Sequence, residues 1–398
     1  MKSLFLTVCC CAWTTAAAAL TITSDTEWCG ALSMRESVRV EVGATLTVVS
    51  GAVITFHGGK LEVAGRLVAE NAHFTGSNWD GIVLKGCDAG TVLSGGRVDG
   101  AKTGIFAGGG TPRLLGVTVS GNDVGIELKQ QSAAQISDCV IVGNRKVGLF
   151  IKDESTPTVT GNRIEKNGKY GAYVYRALPR SFSGNRFSDN ETGLMIANAG
   201  SDPRIEGNRF AGNQIGILVD RAARPQLRGN FLSNNRTGVR LYRRADARIE
   251  GNAFRGNDDA LSLAYSSYPL VHGNDFSGNK RAFFLEFQSS AWEKARGETT
   301  REAEAGNRGA FGQSSGHAEE AGERRKPEGL TGLVDARDNW WGEEGTAELV
   351  RIGSAGNPSF IVDGRDTATF VEGGQSWPLD RVNFAPWRNA PIGFQELP

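Results

Sequence analysis

Apolar residues between positions 40 and 290 fall in short runs that alternate with polar ones, and the runs themselves repeat. RIEGNRFAGNQIGILVD, residues 204–220, holds one full set: Ile205, Phe210, Ile217 and Val219. The place of Ile205 recurs as Val159, Phe182, Leu227, Ile249 and Val271. That of Phe210 recurs as Val140, Ile164, Phe187, Leu232, Phe254 and Phe276. That of Ile217 recurs as Ile105, Ile126, Leu149, Ala172, Leu194, Val239, Leu261 and Phe283. That of Val219 recurs as Leu128, Ile151, Val174, Ile196, Leu241, Leu263 and Leu285. Within each run the spacing is two, the period of a strand.

Polar landmarks keep the same step. An Asn stands at 122, 144, 167, 190, 213, 235, 257 and 279, and another at 162, 185, 208, 230, 252 and 274. Asp138 reads as holding the place of this other Asn one repeat earlier. A small residue follows at Gly104, Gly125, Gly148, Gly171, Gly193, Gly216, Gly238, Ala260 and Ala282. A fixed period of this size over some two hundred residues means a solenoid. Three short strands per repeat, each paired in parallel with its copy about 4.8 Å away, predict an all-β, single-stranded right-handed parallel β-helix. It would have about a dozen coils of 22–23 residues and a cap at each end. The Asn suits a left-handed turn and can bond from coil to coil through its amide. The Gly suits a corner where a side chain would collide or φ is positive. A leucine-rich horseshoe has a similar period, but it would need Leu dominance and a helical half that are absent here.

The ends read differently. MKSLFLTVCCCAWTTAAAAL has one Lys, an apolar stretch too short to span a bilayer, and small residues near Ala18 and Ala19. Residues 1–19 thus read as a cleavable signal peptide, which places the protein in the periplasm or outside the cell, with no transmembrane segment. Residues 20–38 are expected as an N-terminal cap and 39–288 as the β-helix. The charged, Gly-rich stretch 289–330 reads as a flexible insertion, with a short helix near Trp292. Residues 331–398 read as a C-terminal coil and cap, with Trp340, Trp341, Trp377 and Trp387 to seal the core. Outside the leader only Cys29, Cys87 and Cys139 remain, too few for a disulfide framework.

This Asn/Gly coil signature resembles the parallel β-helix repeats of the pectin-lyase-like superfamily, in the style of its NosD-like, carbohydrate-binding branch. The closing DNWWG and VNFAPW are similar to the end piece of exported bacterial β-helix repeat proteins. The resemblance implies a bacterial, extracytoplasmic protein. It says little of activity, because one fold hosts many functions.

Composition adds a charge split. The formal net charge is zero, yet residues 101–290 carry 25 Lys+Arg against 17 Asp+Glu, while 291–398 carry 12 against 18. A basic middle can attract acidic polymers, although Arg also solvates exposed strands. Catalytic signatures are thin. GNDDALSL, with Asp258 and Asp259, only superficially matches the paired acids of a hydrolase. The strand rows hold no acidic cluster for Ca²⁺, and the four His lack metal-ligand spacing. No cofactor, no metal and no nucleic acid are expected. What stands out is an aromatic and basic strip beside the long strands: Lys152, Tyr173, Tyr175, Arg176, Asp220, Arg221, Arg240, Tyr242, Arg243 and Tyr265. Tyr rings can stack on sugars and Arg can grip carboxylates. The leading expectation is therefore binding of acidic or neutral polysaccharide without catalysis. A lyase, hydrolase or epimerase with an unrecognised site, and a purely structural envelope protein, stand as alternatives.

Overall fold

The computed structural model describes residues 6–7, 19–297, 330–391 and 393. The leader thus lies almost wholly outside the described residues, as does 298–329 of the insertion. The chain divides into two compact units, Met1–Tyr173 with Pro179–Ser181, and Val174–Leu178 with Phe182–Pro398. Both are β-solenoid, and together they hold about 12 turns.

One coil of the second unit shows the plan. Strand Arg204–Glu206 precedes the first Asn, strand Arg209–Ala211 lies between the two Asn, and the long strand Ile215–Asp220 follows the second. Each pairs in parallel with its copy in the next coil: Ile205 with Leu227, Phe210 with Leu232, Ile217 with Val239, Val219 with Leu241. The same registers hold in the first unit, where Ile105 meets Ile126 and Leu128 meets Ile151. Ile205, Phe210, Ile217 and Val219 are fully buried, so the four apolar rows line one interior. Stacked rings fill it further, as in Phe187 on Phe210 at 4.7 Å.

The two Asn rows run inside the turns. Asn230 shows the pattern: its Nδ2 donates to Ile205 O at 2.8 Å and to Asn252 Oδ1 at 3.0 Å. Its Oδ1 accepts from the backbone N (3.0 Å) and the Nδ2 (3.1 Å) of Asn208. A buried amide with every donor and acceptor used is what low dielectric rewards.

Two details differ from the sequence reading, and a third decides between its alternatives. The ladder Asn do not take the left-handed conformation; the residue before each does, as in Gly207 (φ 62), Gly229 (φ 60) and Gly251 (φ 63). Asp138 is one of these left-handed residues (φ 57), and Cys139 fills the amide's place. Its N donates to Asn162 Oδ1 at 2.9 Å and its thiol to Leu114 O at 3.4 Å. Accordingly Ile141, not Val140, pairs with Ile164 in the buried row. Finally, the Gly row is set by space rather than by φ. A Cβ on Gly216 would lie 2.6 Å from Gly238 O, and one on Gly238 2.7 Å from Ala260 O.

Residues 20–38, expected as a cap, join the sheets themselves. Strands Leu20–Ile22, Thr26–Trp28 and Ala31–Met34 pair with Val38–Val40, Thr45–Val48 and Val53–Phe56. The Asn signature is missing there, which hid the coil. At the other end helix Gly342–Ile352 buries Leu349, and Trp341, just before it, packs on Phe276, Phe283 and Phe360. Trp340 and Trp341 are buried, whereas Trp377 lies on a hairpin and Trp387 packs loosely on Phe384, 6.2 Å away. A short helix does form at Ser290–Trp292, followed by a π-helical turn Glu293–Gly297. Gly332 N donates to Ser290 Oγ at 3.0 Å, so the chain resumes beside the point where the insertion departs. Ser290 is tied in turn to buried Asp380, which accepts from Ser290 N at 2.9 Å and Tyr268 Oη at 2.8 Å. Cys87 and Cys139 are free thiols, and burial pushes the Cys139 thiol up to about 11.

Candidate functional site

Each long strand ends in a turn whose residues adopt positive φ. In the first unit they are Gly86 (φ 63), then Gly109 and Gly110 (φ 70 and 72), then Gln130 and Gln131 (φ 56 and 60), then Asp153 and Glu154 (φ 51 and 60). In the second unit the same turns hold Arg221 and Ala222 (φ 53 and 61), Arg243 and Arg244 (φ 53 and 61), and Tyr265 and Ser266 (φ 52 and 62). Phe287 (φ 51) comes next. A side chain in this conformation costs about 1–2 kcal/mol over Gly. Such strain concentrates where a particular side chain is required. Arg221, Arg243, Tyr265 and Phe287 thus form one row, a coil apart.

A second row runs beside it. Register places Asp220 next to Tyr242, then Ala264, then Glu286. The rows interlock. Asp220, almost fully buried, accepts from Arg243 Nε at 2.7 Å and from the Nη2 of the same fork. Arg221 Nε lies 3.9 Å from the same carboxylate. Asp220 holds the Arg243 guanidinium above its usual range. Arg243 and Arg240 sit 4.8 and 5.5 Å from the Tyr242 ring centroid, and Arg240 Nη2 reaches Glu286 Oε2 at 3.4 Å. Tyr242 meets Tyr265 edge to face at 5.0 Å, and Tyr265 stacks on Phe287 at 5.4 Å. Burial, then Tyr242, Glu372 and Glu286, raise the Tyr265 phenol above its ordinary pKa. These rings pack on one another and on guanidinium groups, so the ridge presents ring edges, phenol hydroxyls and partly used Arg forks.

Six of the ten residues singled out in the sequence therefore belong to one cluster: Asp220, Arg221, Arg240, Tyr242, Arg243 and Tyr265. Tyr175 and Arg176 form a local pair, the guanidinium 5.4 Å from the ring. Lys152 and Tyr173 belong to a different group in the first unit. There Lys152 pairs with Glu127 at 2.7 Å and covers Phe150 at 4.8 Å, while Tyr173 stacks on Phe150 at 5.0 Å.

The sequence reading passed over Phe287 and the hairpin Thr369–Glu372/Gln375–Pro378. Phe370 of that hairpin meets Phe287 edge-on at 5.5 Å and 88°. The Gly373-Gly374 pair between two β-rich runs is a hairpin signal of the two-residue type, and both residues have positive φ.

Other candidate chemistry is spoken for. Asp258 is exposed and Asp259 buried; Asp259 is held by Arg281 through Nε at 2.5 Å and Nη2 at 2.9 Å. The two acids do not face one space. His73 bonds Asp99 at 2.7 Å, His57 bonds Ser33 at 3.0 Å and His272 lies 3.1 Å from Asp335; His317 is outside the described residues. Among the described residues no group of three or more His, Cys, Asp and Glu is arranged to hold a metal ion. No helix among them is long and apolar enough to cross a membrane.

Comparison with known families agrees with the coil geometry. Residues 179–306 match the family described as right handed beta helix region, and residues 64–224 match the one described as periplasmic copper-binding protein (NosD). The chain is a right-handed parallel β-helix. No curated protein sequence matches this β-helix. Among solved structures it is similar to the A-module of Azotobacter vinelandii mannuronan C-5 epimerase AlgE4. That pair has a TM-score of 0.39 and 15% identity, over 68% of this chain and 89% of that one. A mutant of the periplasmic alginate epimerase AlgG gives a TM-score of 0.34 and 11% identity, over 69% and 77%. The AlgE6 A-module, also from Azotobacter vinelandii, gives 0.32 and 15%, over 67% and 90%.

Proposed function

We propose that this β-helix is an exported protein that recognises polysaccharide on the turn ridge of its second unit, without catalysis. The observation that carries the reading is the run of Arg221, Arg243, Tyr265 and Phe287 in left-handed backbone. Gly would relieve the strain at each, and the first unit uses Gly at Gly86 and Gly109 but Gln130 and Asp153 in its next two coils. What sets the second unit apart is that its strained places carry Arg and aromatic side chains, the groups that grip carboxylates and stack on sugars. Their period of one coil, about 4.8 Å, suits a polymer of repeating units laid along the axis. The leader read in residues 1–19 and the periplasmic description of the family matched over 64–224 support export. Recognition is favoured over chemistry because the carboxylates nearest the ridge are committed: Asp220 is held by Arg243, and Glu286 by Arg240.

Affinity electrophoresis tests this. The mature protein is run through native gels cast with neutral or uronate polysaccharides, beside a Tyr242→Ala/Tyr265→Ala double variant. Retardation of the wild type in at least one gel, and its loss in the variant, is the expected result. A wild type that migrates freely in all of them, or a variant retarded as strongly as the wild type, overturns the assignment.

A further inference from the structure

The ridge does not run on indefinitely, and its end has a shape. The long strand after Arg281–Glu286 is only Ile361–Val362, with Phe284 paired to Val362. Counting on from that pair puts Arg365 opposite Phe287. Arg365 turns inward instead of extending the row: it donates to Asp363 Oδ2 at 2.5 Å and to Val382 O at 3.2 Å, with its guanidinium 5.1 Å from the Phe384 ring. The outward place is taken by the hairpin. Phe370 abuts Phe287 edge-on, and Glu372 leans back far enough to act on Tyr265, one coil earlier.

That hairpin is braced from several sides. Arg296 Nη2 donates to Gln375 Oε1 at 3.0 Å, and its guanidinium lies 5.8 Å from the Trp377 ring. Trp377 Nε1 donates to Glu372 O at 3.3 Å. The turn that carries Arg296 is anchored in turn by fully buried Glu293, which accepts from Arg244 Nε at 2.9 Å. Arg244 is the neighbour of ridge residue Arg243, so ridge, turn and hairpin form one connected support.

Charge narrows the ligand. Arg221, Arg240 and Arg243 are matched in number by Asp220, Glu286 and Glu372, and each of the three arginines already has a carboxylate partner on the ridge. A polyanion would gain little there. Sugar hydroxyls, by contrast, would find carboxylate acceptors and phenol and guanidinium donors close together.

We infer that the hairpin Thr369–Pro378 closes the C-terminal end of the ridge, so that the site takes the free terminus of a neutral glycan rather than the middle of a polymer. This rests on the ridge being a glycan site, as proposed above. The test is an array of neutral and uronate oligosaccharides, each attached in one set through its reducing end and in another through its non-reducing end. The expected signal falls on neutral glycans in one orientation only and changes little with added salt. Phe370→Ala and, separately, Glu372→Gln should each weaken that signal about tenfold or more. Replacing 370–377 by a Gly-Gly link should admit both orientations. Equal signal in both orientations for the wild type, or preference for uronates, overturns the closed-end inference while leaving the ridge as a glycan site. An array with no signal at all removes both.

Discussion

Asn230 offers a direct measure of what the amide rows contribute. Its side chain is fully buried and makes four hydrogen bonds, two given and two received. Truncation to Ala leaves one group newly without a partner, the backbone N of Asn208; the Ile205 carbonyl loses its second donor but stays in the parallel strand ladder with Leu227 and its neighbours. Asn208 Nδ2 keeps its bonds to Phe182 O and Glu206 O, and Asn252 Oδ1 keeps the one from Asn230 N. At about 1–3 kcal/mol for one orphaned buried group, Asn230→Ala should cost about 1–3 kcal/mol. Asn230→Asp has the same shape but a different fault. Its carboxylate can still accept from Asn208, yet it faces Ile205 O and Asn252 Oδ1 at 2.8 and 3.0 Å with nothing to donate. Burial among acceptors raises the pKa of the introduced acid in the folded state. Its destabilisation is therefore full above that pKa and eases as pH falls and the carboxyl gains a proton to donate. Native-state amide exchange is the suitable assay, because a solenoid can open coil by coil and a single unfolding midpoint would blur that. The Asn208 N–H should exchange at least tenfold faster in Asn230→Ala. Less than about 1 kcal/mol lost in that variant, or no pH dependence in Asn230→Asp, would refute the reasoning.

The glycine positions separate two kinds of constraint. Gly216→Ala puts a Cβ 2.6 Å from the Gly238 carbonyl, and calorimetry should register a loss of several kcal/mol; Gly251→Asn, at φ 63 with its nearest atom 4.0 Å away, should cost under about 1 kcal/mol, since Asn accepts left-handed backbone. Asp335, with burial raising its pKa but Arg337 and His272 lowering it more strongly, ends at about 2 against an ordinary value of 3.8. Its contribution is present above pH 3.8 and lost as pH falls towards 2, so Asp335→Asn should cost at most about 2 kcal/mol at neutral pH and nothing in strong acid. A denaturation difference that stays constant across that range would argue against it.

Much of the fold was legible because every coil buries the same four places. Ile205, Phe210, Ile217 and Val219 recur with the strand period, and the structure puts each in the common interior. Errors arose where one residue imitates another. Asp138 passes for a ladder Asn, yet its left-handed backbone belongs to the preceding Gly and Cys139 does the amide's work. The coil at 20–38 was hidden because its strands are short and carry neither landmark. The ridge was half readable. Register alone aligned Asp220, Tyr242 and Glu286, but a periodic pattern does not reveal that Arg243 is committed to Asp220. The packing of Phe370 on Phe287 joins residues far apart in the chain, outside any repeat. Only the Gly373-Gly374 turn hinted at the element responsible.

The amide rows also restrict how such a chain changes length. Within a unit, each ladder Asn receives two hydrogens on its Oδ1 from the coil before, and its N and Nδ2 pass two to the Oδ1 of the Asn in the coil after. Duplicating or excising an entire coil leaves that relay unbroken, because the new neighbours meet with matching polarity. An indel of any other size inside a strand or Asn turn shifts donor against donor, or aims apolar side chains outward. Growth is thereby quantised, and material that does not fit the quantum must leave from a corner and return to it, as the segment between Ser290 and Gly332 does.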